Sequence, residues 1–92
     1  MLTWIYCYLL PKANRVALDY TYDYEQAYNI IKGHAEKHNH SLMYEIHQHN
    51  NDNTVIHHHY FDSQLEQVPL EEFKTLLFIL TGIIHEPYDF GT

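Results

Sequence analysis

At Asp23 the hydrophobic rhythm of the chain changes from every second residue to every third or fourth. Before it, 3–10 (TWIYCYLL) and 15–22 (RVALDYTY) are rich in aromatic and β-branched residues and alternate as half-buried strands do. Pro11-Lys12-Ala13-Asn14 separates them as a turn, so the pair reads as a hairpin. The alternation sets Ile5, Cys7 and Leu9 against Trp4, Tyr6 and Tyr8, and Val16, Leu18, Tyr20 and Tyr22 against Arg15, Ala17, Asp19 and Thr21. After it, Tyr24, Ala27, Tyr28, Ile31 and Ala35 share one face of a helix that runs to about His38. Asp23 is its N-cap, and Gln26 completes a capping box. Gly33 inside this helix costs about 1 kcal/mol against alanine, which predicts close packing there or a frayed last turn.

The second half repeats the plan without repeating the residues. Segments 41–49 and 54–61 form another hairpin, 62–68 is a connector, and a second helix starts near Pro69 and continues to Ile84. Glu71 and Glu72 sit at its positive end, and Pro87 forbids its extension. The order β-β-α-β-β-α predicts an α+β fold: a two-layer sandwich of a four-stranded, mainly antiparallel sheet with two helices on one face. Residues 1–92 are read as a single domain, with a first ββα half at 3–39, a second at 41–85 and a tail at 86–92.

The stretch 45–61, EIHQHNNDNTVIHHHYF, carries an H-x-H pair on one strand and His57-His58-His59 on the next. A three-residue turn at Asn51-Asp52-Asn53, with Asn53 left-handed, pairs His49 with Val55 and His47 with His57. Glu45, His47, His49, His57 and His59 then share one face within ligand reach of Zn, Ni or Cu, while Leu42, Tyr44, Ile46, Ile56, His58 and Tyr60 form the core face. A two-residue turn at Asn51-Asp52 shifts the pairing by one and places histidines among apolar residues on both faces. The first register is preferred because it separates core from solvent. Clustered imidazoles repel one another when charged, so the hairpin is expected to loosen in mild acid. His34 and His38, one turn apart on the first helix, read as a solvated pair.

Five Lys and Arg against twelve Asp and Glu leave a net charge of −7, with histidine neutral. That balance argues against direct nucleic-acid binding and favours a basic protein partner, although solubility alone also accounts for it. The N-terminal apolar run lacks the basic start and small-residue cleavage site of a signal peptide, and 75–84 is too short to cross a bilayer. A soluble, cytoplasmic protein is the expectation, consistent with a single cysteine, Cys7. Neither a nucleophile elbow nor a glycine-rich phosphate loop is present, so no enzyme activity and no required cofactor are expected.

Two surfaces remain. Trp4, Tyr6 and Tyr8 form an aromatic row, with Asp19 on the neighbouring strand, and Phe78, Ile79 and Ile83 widen the apolar stripe of the second helix nearly all round. A helix covered on one side does not need that, which points to a homodimer or to a partner protein, basic or nucleic-acid-binding. The expected function is a small acidic module that binds and inhibits or neutralises such a partner, as an immunity protein, an antitoxin or a phage anti-defence inhibitor does. The alternative is a histidine-rich domain that binds transition metal or senses metal or pH.

Overall fold

The computed structural model describes residues 2–9, 14–52 and 54–81, leaving aside the side chains of Ile56 and Thr81. The elements are β1 (Leu2–Leu9), β2 (Asn14–Thr21), α1 (Tyr24–Lys37), β3 (Met43–His49), β4 (Val55–Phe61), β5 (Gln67–Val68) and α2 (Leu70–Thr81). They form an α+β fold around one antiparallel sheet in the order β2-β1-β3-β4-β5. The two hairpins meet through β1 and β3, so β2 and β3 run parallel with β1 between them, and α1 makes the crossover. The Pro11–Ala13 turn, the Asn53 conformation, Ile83 and the tail at 86–92 fall outside the described residues.

Two expectations are corrected. A fifth strand appears where a connector was expected, because Asp62 folds the chain back. Its carboxylate accepts from the amides of Gln64 and Glu66, both at 2.9 Å, and its own amide donates to the Glu66 carbonyl at 3.0 Å. Gln67 and Val68 are thereby delivered to β4, opposite Phe61 and Tyr60. A two-residue strand is too short to show an alternation.

The helices, moreover, lie on opposite faces of the sheet rather than one. Ala27, Ile31 and Ala35 of α1 pack with Ile5, Cys7, Tyr44, Ile46 and Phe61. Phe73 and Leu77 of α2 pack with Tyr8, Met43, Tyr60 and Val68. Cys7 and Tyr8, or Tyr44 and Met43, are neighbours in sequence and so point to opposite sides of the sheet. At its centre the sheet is therefore buried on both faces, which is why residues 43–47 of β3 are buried without alternation, while β2 stays largely exposed.

α1 begins at Asp23, whose carboxylate accepts from the amides of Glu25 and Gln26, both at 3.4 Å. Gln26 does not close the expected box; its side-chain carbonyl accepts from the Thr21 hydroxyl at 2.6 Å. The helix ends in a Schellman motif, with Asn39 donating to Glu36 at 3.2 Å and His40 to Ala35 at 2.8 Å. Asn39 adopts φ 57, a conformation asparagine tolerates. Gly33 is neither closely packed nor at a frayed end: it is exposed, and a methyl group placed on it would meet nothing within 4 Å. α2 starts as Phe73 donates to the Pro69 carbonyl at 3.0 Å, so Pro69 precedes the helix and accepts its first bond. Among the described residues no helix is long and apolar enough to cross a membrane.

Candidate functional site

The register of the histidine hairpin starts as the sequence predicts and then changes. His49 faces Val55, but Gln48 faces His57 and His47 faces His58, so the backbone of Ile56 is an extra residue in β4. Asn50 donates to Thr54 across the turn at 2.8 Å, and Asp52 accepts from the Thr54 amide at 3.0 Å. The bulge moves every later side chain of β4 to the other face. His58 and Tyr60 join Glu45 and His47 beneath the α2 face, while His57 and His59 join Gln48, Ile46 and Tyr44 on the α1 face. The expected five-ligand set is thereby divided between the two sides of the sheet. The rule that one face should be core and the other solvent failed because both faces are covered.

His59 already uses both ring nitrogens. Its Nε2–H donates to the Gln48 side-chain carbonyl at 2.9 Å, and Nδ1 accepts from the Gln67 amide at 3.2 Å. Its pKa is lowered, first by burial and then by His57, which agrees with that neutral form. Among the described residues no three His, Cys, Asp or Glu side chains are grouped to hold a metal ion.

What the bulge builds instead is a buried polar layer on the α2 side. Glu45 is fully buried in the middle of β3. Its carboxylate accepts from the Tyr8 hydroxyl and from His47 Nε2 at 2.6 Å, with the Arg15 guanidinium 4.0 Å away. Arg15 also lies over the Tyr6 ring, 4.6 Å from its centre. His47 stacks on His58 with centroids 4.7 Å apart and planes 18° from parallel. Two imidazoles stacked so closely with Arg15 nearby are best accommodated neutral. Burial, then Arg15 and His49, pushes the His47 pKa down to about 3. Neutral His47 donates through Nε2–H, and Arg15 supplies the charge that balances the carboxylate. Burial, reinforced by Glu45, raises the Tyr8 pKa far above its usual value, so its hydroxyl stays a donor.

This layer is joined to the seat of α2. Phe73 packs edge-on against Tyr8 at 5.4 Å and at a tilt against Tyr60 at 5.1 Å. Tyr8 carries its hydroxyl to Glu45, and Tyr60 carries its own to His58 Nδ1 at 3.0 Å. The histidine-rich hairpin thus contributes to the docking of the second helix, a role its composition alone did not suggest.

The aromatic row is not exposed as a unit. Tyr8 is fully buried beneath α2, and Trp4 and Tyr6 are half-buried. Trp4 instead meets Tyr20 at 5.1 Å, and Tyr20 meets Tyr22 at 6.2 Å. Tyr20 is 50% exposed and Tyr22 69%. A second bulge brings Tyr20 to this face: Ile5 faces Asp19 and Tyr6 faces Ala17, leaving Leu18 as the extra residue. Sequence alternation put Tyr20 with Val16 and Leu18, so its approach to Trp4 was missed. Exposed Asp19 accepts the Tyr20 amide at 2.8 Å, and Asp23 and Glu25 are exposed just beyond. On α2, Phe78 is 48% and Ile79 68% exposed. Cys7 is buried, and burial raises its thiol pKa, so it is poorly suited to nucleophilic work. Scans against protein-family models, curated protein sequences and solved structures find no match.

Proposed function

We propose that this chain is a small acidic protein-binding module that engages, and inhibits or neutralises, a basic partner. The observation that carries the reading is the Trp4–Tyr20–Tyr22 ring cluster, with the exposed acids Asp19, Asp23 and Glu25 close to it in sequence. Aromatic faces beside carboxylates suit arginine and lysine side chains, which stack on the rings while pairing with the acids. The net charge of −7 adds long-range attraction for such a partner. A nucleic-acid-binding protein fits this chemistry, as in the settings of immunity proteins, antitoxins and phage anti-defence inhibitors. Phe78 and Ile79 provide a second apolar surface for the same partner or for a second copy.

Trp4 is the sole tryptophan and therefore reports on the cluster directly. Titrating the untagged chain with an arginine-rich peptide at low salt should change its fluorescence saturably, and high salt should reverse the change. The Tyr20→Ala/Tyr22→Ala variant should bind at least about tenfold more weakly, a loss of about 1.4 kcal/mol. Unchanged affinity in that variant would remove the cluster from the interface. Sedimentation of the free chain tests the dimer separately.

A further inference from the structure

We propose that His34 and His38 form a surface site for one divalent transition-metal ion of the borderline class, Zn²⁺, Cu²⁺ or Ni²⁺. The inference is independent of the protein-binding reading. His34 lies in the last turn of α1 and His38 is its C-cap. Their rings are stacked, with centroids 4.3 Å apart and planes 27° from parallel. Histidines four residues apart on a helix present their nitrogens to a common point, the geometry by which an H-x-x-x-H helix chelates zinc.

Although His38 is a solvated residue, His34 is not. It is half-buried against β3, and its Nδ1 lies 2.8 Å from the Tyr44 hydroxyl, with the Tyr44 ring edge-on at 5.6 Å. Such an outer partner fixes the tautomer and orientation of a ligating imidazole. A metal at Nε2 selects the tautomer in which Nδ1–H donates to the Tyr44 oxygen. His34 Nε2 then keeps its lone pair for a metal. His38 is exposed and free to rotate toward it.

Metal–nitrogen bonds of 2.0–2.1 Å at a tetrahedral angle require ligand nitrogens about 3.3 Å apart. Stacked rings do not aim their in-plane lone pairs at one point, so the exposed His38 ring turns out of the stack to bring its nitrogen there. The carbonyl end of the α1 dipole favours a cation at this position, and Lys37 opposes it and limits the strength. With two protein ligands, water completes the coordination, and the site is weak and exchangeable. It differs from His47, whose Nε2 is bonded to a buried carboxylate, and from His59, both of whose ring nitrogens are occupied.

The test is calorimetric titration of the untagged chain with Zn²⁺, repeated with Cu²⁺ by visible absorption, alongside nitrogen-15 spectra of the histidine rings. One equivalent should bind, with the His34 and His38 ring resonances shifting together. His38→Asn, at an exposed position, should weaken binding at least about tenfold, and Tyr44→Phe should weaken it by about ten- to a hundredfold, the cost typical of losing an outer partner. His57→Gln/His59→Gln should leave it unchanged. Full affinity in His38→Asn, loss in the His57/His59 variant instead, or no saturable binding below about 1 mM would each overturn the assignment.

Discussion

His47 makes the stability of this fold depend on pH in a direction that can be worked out. The imidazole is about 1% exposed, stacked on His58 and close to Arg15, and its pKa falls from 6.5 to about 3 in the folded chain. The unfolded chain therefore takes up this proton first as pH falls. The contribution is intact above about pH 6.5 and is lost progressively down to about pH 3. Each pH unit below 6.5 costs about 1.4 kcal/mol, so the loss at pH 5 is about 2 kcal/mol. For a domain of this size that lowers the midpoint of thermal unfolding by about 10 °C. His34, His58 and His59, also lowered by burial, shift stability in the same direction. The share of His47 is isolated by His47→Gln, whose side-chain amide still donates to Glu45 but does not titrate. Urea unfolding at pH 7.5 and pH 5.0 should show the wild type losing about 2 kcal/mol more than the variant. Equal losses would refute a neutral His47. A wild type that gained on the variant in acid would mean that Glu45 holds an imidazolium. Hydrogen exchange across 45–59 should quicken over the same interval, and an unchanged pattern would count against the expected loosening of the hairpin.

Tyr8→Phe keeps the edge contact with Phe73 but removes a donor from the buried Glu45 carboxylate, and should cost about 1–3 kcal/mol in denaturant unfolding. Gly33→Ala adds a methyl group that meets nothing and should stabilise by about 1 kcal/mol, seen as a rise in the thermal midpoint; a fall would show that the site is crowded. Asp62→Ala leaves the amides of Gln64 and Glu66 without their acceptor and should cost about 1–2 kcal/mol, with faster amide exchange at Val68 as β5 loosens.

Short-range order was legible because its causes are short-range. The Asp23 cap, the α1 face of Ala27, Ile31 and Ala35, the two hairpins and the acidic start of α2 each follow from residues within a few positions of one another. The His49–Val55 pair at the turn was legible for the same reason. Only the tertiary structure decided the rest. A single bulge at Ile56 exchanged His57 for His58 opposite His47, and another at Leu18 brought Tyr20 to Trp4. Alternation reports a register only where one side of a sheet meets water. Across β3 and β4, with α1 on one side and α2 on the other, both registers bury side chains. The choice then falls to long-range partners: Glu45 with Tyr8 and Arg15, Tyr60 with Phe73, and His59 with Gln48 and Gln67.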